Sequence, residues 1–90
     1  MSNTTLIRRI ELALAAVRSE NDPPRLLAEA MRLNGRALER MPYQLVKELE
    51  SLAMDLDIAS WEDEDGFLPD VPSILMRVEV WLGELPRDAA

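Results

Sequence analysis

The sequence predicts an all-α fold: a single antiparallel four-helix bundle with an acidic loop before the last helix. Two observations lead to it, namely four segments in which apolar residues recur every three or four positions, and turn-forming residues between those segments. The chain has 90 residues, which suffices for one modest hydrophobic core but not for two independent domains. We therefore expect residues 1–90 to form one helical domain, with neighbouring helices antiparallel because most links are short.

The first predicted helix covers about residues 5–20, where apolar residues recur on one face. Asn3, Thr4 or Thr5 is expected to cap its N-terminus, because short polar side chains can bond to the free backbone N–H groups there. Leu12 lies on the opposite face and has no place in the core. The stripe expected to face the core consists of Leu6, Ile7, Ile10, Leu14 and Val17.

The second predicted helix begins in the turn at residues 21–24, because proline is tolerated in a first helical turn. Asn34 and Gly35 interrupt its apolar pattern. They could end a short helix, or they could form a weak point within a longer one that costs about 1 kcal/mol relative to alanine. We favour one helix with a local irregularity. Its broad apolar face consists of Leu26, Leu27, Ala30, Met31, Leu33, Ala37, Leu38 and Met41.

The third predicted helix starts at Pro42, since proline disfavours helical geometry in the residue before it and fits the first turn of a new helix. Its apolar stripe is the most regular of the chain, which makes this helix the most strongly predicted element. The stripe consists of Leu45, Val46, Leu49, Leu52, Ala53 and Leu56.

The helical pattern fails over residues 60–72, which contain the acidic loop, and resumes over residues 72–85 in the last predicted helix. Met76 and Val80 lie on the far side of that helix and, like Leu12, have no place in the core. A wide core or ordinary surface exposure would explain them, and so would a homodimer interface. The residues expected to face inward are Ile74, Leu75, Val78, Trp81, Leu82 and Leu85.

The absence of cysteine and histidine excludes disulfides, thiolate or imidazole metal sites and Ser-His-Asp triads. Asp63, Asp65 and Gly66 match three positions of an EF-hand calcium loop, but Trp61 and Pro72 stand where that loop needs Asp and Glu. Carboxylates in a polar loop are solvated and lack the partly dry cleft that acid–base catalysis requires. We therefore expect no enzymatic activity, no cofactor and no metal site.

The formal charge of −7 disfavours direct binding to nucleic acid, which requires clustered Lys and Arg. No apolar run approaches the ~20 residues needed to cross a bilayer, and the first residues are polar without a signal-peptide pattern. We expect a cytoplasmic, soluble protein that binds neither nucleic acid nor membranes.

The charge is distributed unevenly along the chain. Residues 1–40 carry a net charge of +2 and residues 41–90 a net charge of −9, with nine acids and no base between Glu48 and Asp70. Such a field would attract a basic protein partner, although a charge run is also typical of a solvated loop. Trp61 could contact that partner or anchor the loop on the bundle. The candidate partner-binding residues are Tyr43, Glu48, Asp55, Asp57, Trp61, Glu62, Asp63, Glu64, Asp65 and Asp70.

The chain also resembles the colicin D type immunity proteins, which are small acidic four-helix cytoplasmic proteins that block a tRNA-cleaving toxin. The resemblance lies in the length, the Arg32-Leu33-Asn34-Gly35 break, the Pro42-led helix through Leu56, and an acidic connection before a final helix ending near Leu85. It implies that the acidic surface fills the positively charged substrate cleft of the toxin in place of RNA phosphates, and it assigns no individual contact residue. The expected function is therefore that of an immunity or antitoxin-like protein. The alternative is a helical adaptor or small self-associating subunit that docks through Leu12, Met76 and Val80.

Overall fold

The computed structural model describes residues 2–60 and 70–87 and confirms an all-α fold, a four-helix bundle in which consecutive helices run antiparallel. No β-strand occurs among those residues. Most of the predicted acidic loop, residues 61–69, lies outside them. The helices are α1 (Asn3–Glu20), α2 (Pro24–Ala30), α3 (Tyr43–Ala59) and α4 (Val71–Glu84), and a π-helical turn (Met31–Gly35) continues α2.

One hydrophobic core joins all four helices. As the sequence predicts, Trp81 belongs to it: the side chain is 1% exposed, and its indole Nε1 donates a hydrogen bond of 2.9 Å to the carbonyl oxygen of Leu45. This bond satisfies the polar atom of the ring, so the large apolar surface of Trp81 is buried without a lost hydrogen bond. The most deeply buried large side chains are Ile7, Ile10, Leu27, Met31, Leu49, Leu56, Val78 and Trp81.

The first helix begins two residues earlier than the sequence predicts, and its cap is a different residue. Ser2 caps α1, because its Oγ accepts a hydrogen bond of 3.2 Å from the backbone N–H of Thr5. The expected caps Asn3, Thr4 and Thr5 all lie within the helix. The helix ends at Glu20, and the next residue, Asn21, adopts the left-handed conformation (φ 61°) typical of a residue just after a helix.

Asn3 has a tertiary role instead of the predicted capping role. Its side chain is buried, with 6% exposed, and Nδ2 donates hydrogen bonds of 2.9 Å to the carbonyl oxygens of Glu39 and Pro86. Its Oδ1 accepts a third bond of 2.9 Å from the backbone N–H of Glu39. Asn3 therefore holds the start of α1 against the link before α3 and the segment after α4.

The prediction of one helix with a local irregularity at Asn34 and Gly35 is wrong in one respect: the helix does not continue past them but ends there in a π-helical turn, and residues 36–42 are not helical. Asn34 is buried and its Nδ2 donates a bond of 3.0 Å to the carbonyl oxygen of Ala30, one turn earlier. A Cβ atom on Gly35 would lie 3.0 Å from both Cδ atoms of Leu49 in α3. Glycine is therefore favoured here by the close approach of α3, since a Cβ atom would displace the buried side chain of Leu49.

The apolar face predicted for the second helix is too broad. Leu33 is 75% exposed, and Leu26, seven positions earlier on the same edge, is also exposed. The residues of α2 and the π-helical turn that pack into the core, Leu27, Ala28 and Met31, form one narrow stripe. Apolar composition alone does not distinguish that stripe from the outward edge, because both consist of similar residues.

A neighbouring helix supplies the cap of α2. Pro23 precedes α2 and has no side-chain acceptor for its free N–H groups. The hydroxyl of Ser60, at the end of α3, accepts a bond of 2.6 Å from the backbone N–H of Arg25 and donates one of 3.1 Å to the carbonyl oxygen of Leu56. This cap of α2 therefore forms only when α3 packs beside it.

Candidate protein-binding surface

The acidic residues of α3 lie on two different edges of the helix. Glu48 and Asp55 are seven positions apart, or about two helical turns, and lie on the edge beside α4. Glu50 and Asp57 have the same spacing and lie on the edge beside α2 and the π-helical turn. The candidate residues Glu48, Asp55 and Asp57 therefore do not form one continuous acidic face.

Arginines from other helices pair with the carboxylates on both edges. Nη1 of Arg77 in α4 donates to Oδ2 of Asp55 at 3.0 Å. Nη2 of Arg32 in the π-helical turn lies 2.6 Å from Oδ2 of Asp57. The nine-acid stretch contains no base in the sequence, yet folding brings bases to it from before and after. Asp55 and Asp57 are therefore already engaged within the protein.

Arg36 holds Glu50 through two parallel hydrogen bonds, from Nε to Oε1 and from Nη2 to Oε2, both 3.0 Å long. The hydrogen bonding by Arg36, with the charges of Arg36 and Arg32, lowers the pKa of Glu50 against a smaller opposing effect of burial. Both members of the pair are about half exposed. Water and salt therefore screen the pair, which contributes little to stability.

Three acids after residue 47 have no ion pair within residues 2–60 and 70–87, namely Glu48, Asp70 and Glu84. Asp70 precedes α4, and its Oδ2 accepts a hydrogen bond of 2.5 Å from Oγ of Ser73. Glu84 is not among the candidates that the sequence provides. Its position four residues after Val80 places it on the same exposed stripe of α4, and this spacing is the signal that could have identified it.

The candidate aromatic residue Tyr43 is the first residue of α3 and is 76% exposed. It lies with Met54 on the outward face of α3, whereas Glu48 lies on the edge beside α4. The structure therefore does not bring Tyr43 and Glu48 together. The remaining candidates lie outside the described residues; they are Trp61, Glu62, Asp63, Glu64 and Asp65.

A groove of about 570 Å³ runs between α3 and α4. Its floor is formed by the buried side chains of Leu52 and Trp81, and its outer wall by Met76 and Val80, which are 65% and 64% exposed. Leu12 is 59% exposed on α1 and is not part of the groove. Two of the three apolar residues without a place in the predicted core thus border a concave surface. The other lining residues are Glu48, Ser51, Ser73, Arg77 and Glu84.

The two ends of this groove differ in charge. The hydrogen bond from Trp81 to Leu45 places the start of α3 beside the end of the antiparallel helix α4. Glu48 and Glu84 therefore lie at the same end, and neither has an ion pair in the described part of the chain. Toward the other end, Arg77 of α4 and Asp55 of α3 form an ion pair, so their charges cancel there. The groove is thus apolar along its length and acidic at one end.

Among the described residues, no three acidic side chains are grouped so that they could hold a metal ion. None of the helices in the described ranges is long and apolar enough to cross a membrane. No family model, curated protein or solved structure matches this chain.

Proposed function

We propose that this protein is a small acidic immunity or antitoxin-like protein that binds and blocks the basic active-site cleft of a nuclease toxin. One observation carries the proposal. Both bases after residue 47, Arg77 and Arg87, are held by carboxylates, whereas three acids there have no ion pair within residues 2–60 and 70–87. The sequence adds four further acids and no base at residues 62–65. The chain after Lys47 therefore presents carboxylates to a partner, while both of its bases are paired with carboxylates.

A nuclease cleft suits such a surface, because it binds the phosphates of its substrate with Lys and Arg. A protein that presents several carboxylates can replace those phosphates and displace the substrate. The opposite charges of the two proteins also raise their association rate constant, and salt weakens this effect. The resemblance to the colicin D type immunity proteins supports the same mode of action.

The first test is whether the reading frame next to this one encodes a protein with a basic nuclease domain, and that domain is then the partner in the assay. Inhibition of its RNA cleavage and the association rate constant are measured as the salt concentration rises from about 0.05 to 0.5 M, where the Debye length falls to a few Å. We expect inhibition with an association rate that falls steeply with salt. Replacing Glu62, Asp63, Glu64 and Asp65 by their amides is expected to lower that rate by about tenfold or more.

A matched control removes equal charge from the other half of the chain. It replaces four acids that have no ion pair within the described residues by their amides, and these are Glu20, Asp22, Glu29 and Glu39. This variant is expected to associate nearly as fast as the wild type. Equal losses in the two variants would show that net charge alone matters, and an association rate indifferent to salt would overturn the proposal.

The second candidate function is that of a helical adaptor or self-associating subunit, which the exposure of Met76 and Val80 favours. Sedimentation of the wild type and of Val80→Asp tests the self-associating form. A wild-type dimer that dissociates in the variant would support it, and a monomer in both cases would remove it.

A further inference from the structure

We infer that the groove between α3 and α4 is a docking site for an amphipathic helix of another protein, whose basic residues follow its apolar face at one end. The inference goes beyond the proposed function and does not depend on it, because it concerns how a helical segment is recognised. It would hold for a partner that is not a toxin.

The dimensions of the groove fit a short helix. Its wall on α4 runs from Ser73 to Glu84, which is about 16 Å at 1.5 Å per residue. A partner helix of about three turns would cover that length. Met76 and Val80 are four positions apart and so lie above one another on α4, with Leu52 of α3 beneath them in the groove. A helix that presents apolar residues at i, i+4 and i+7 would pack against this wall and floor.

The small side chains on the rim permit close approach. Ser51 on α3 and Ser73 on α4 line the groove where a longer side chain would obstruct an incoming helix. The aromatic ring of Trp81 lies at the floor, is 1% exposed, and is fixed by its bond to Leu45. The floor of the groove is therefore preformed, which lowers the entropic cost of binding.

The charges that line the groove favour a basic helix as its occupant. Glu48 and Glu84 lie at one end of the groove and have no ion pair among residues 2–60 and 70–87, so a Lys or Arg of the partner could pair with them there. A second copy of this chain is disfavoured, because in a two-fold interface the acidic end would face the opposite end of the second groove, where Arg77 is already paired with Asp55. Each copy also carries a net charge of −7, so two copies repel each other. A basic amphipathic helix satisfies both the apolar wall and the acidic end.

The experiment uses the full chain and a fluorescein-labelled peptide of about 18 residues, long enough to form a helix. The peptide is rich in alanine, carries leucine at i, i+4 and i+7, and has two lysines after the last leucine. A second peptide has glutamate in place of both lysines. Binding is followed by fluorescence anisotropy at low and high salt. We expect saturable binding of the lysine peptide that weakens with salt, and at least about tenfold weaker binding of the glutamate peptide.

Matched variants locate the site. Met76→Gln with Val80→Thr removes the apolar wall, and Leu12→Gln with Met54→Gln removes two equally exposed apolar residues elsewhere. The first pair is expected to weaken binding by about tenfold or more and the second to leave it within about twofold. All four residues are largely exposed, so both variants should unfold at nearly the wild-type temperature. Glu48→Gln with Glu84→Gln should remove most of the preference for lysine, and Glu20→Gln with Glu29→Gln should keep it.

Three results would overturn the inference. The first is absence of binding by the lysine peptide, and the second is equal loss of binding in the groove and control variants. The third is a concentration-dependent dimer of the wild type that Val80→Thr dissociates, because it would make a second copy of the chain the occupant. None of these results bears on inhibition of a nuclease, so this inference and the proposed function fail independently.

Discussion

Replacing Asn3 by alanine is expected to destabilise the protein by about 2–3 kcal/mol. Asn3 makes three hydrogen bonds of 2.9 Å to the backbone of Glu39 and Pro86, and each such bond contributes about 1 kcal/mol net. Alanine restores up to about 0.5 kcal/mol through its higher helix propensity. For a domain of this size the unfolding temperature should fall by roughly 10–20 °C.

Urea denaturation followed by circular dichroism measures this loss of stability. Hydrogen exchange supplies a local measurement, because the backbone N–H of Glu39 donates to Oδ1 of Asn3 and should exchange faster in the variant. Asn3→Asp keeps that acceptor but places an oxygen against two carbonyl oxygens, so at neutral pH it should be at least as damaging as Asn3→Ala. Its stability should partly recover as the pH falls toward about 4, since a protonated carboxyl regains one donor.

The control is Arg9→Ala, which changes an exposed residue of α1 that has no ion pair in the described ranges. It should change stability by no more than about 0.5 kcal/mol. An Asn3→Ala variant that is as stable as Arg9→Ala, with unchanged exchange at Glu39, would refute the reasoning. It would mean that the three bonds only replace equally good bonds to water.

Two further predictions concern the bundle and its ion pairs. Gly35→Ala should destabilise the protein by about 1–2 kcal/mol, because the new Cβ meets buried Leu49 at 3.0 Å; Gly83→Ala, where nothing lies within 4 Å of the new Cβ, should stabilise it by about 0.5–1 kcal/mol. Urea midpoints of the two variants test this difference, and equal effects would contradict it. Because Arg36 lowers the pKa of Glu50, the ionised pair stabilises the folded state above the ordinary value of 4.5, and this contribution is lost as the pH falls through the lowered pKa. Glu50→Gln should therefore make the unfolding temperature slightly less dependent on pH below about 5. High salt should remove this difference between the variant and the wild type. A steeper pH dependence in the variant would contradict a lowered pKa of Glu50.

The candidate site could be predicted only in part, and the charges show why. The excess of acid after residue 47 is visible in the sequence, and so are Met76 and Val80 as apolar residues outside the core stripe. The pairing of Asp55 with Arg77 is not, because the two residues are 22 positions apart and meet only when α4 packs on α3. A count of charges along the chain treats Asp55 and Glu48 alike. In the structure Asp55 forms an ion pair with Arg77, whereas Glu48 lines a groove.

The sequence by itself determined the helical architecture of this protein. The spacing of apolar residues and the positions of proline and glycine are local properties, and they identified four helices and the burial of Trp81. Only the tertiary structure decided the roles of Asn3, Ser60 and Gly35. Each of these depends on a contact with a part of the chain at least 14 positions away. Short polar residues and glycine are common at every turn and helix end, so the sequence does not show which of them makes a tertiary contact. Only the packing of the helices determines that contact.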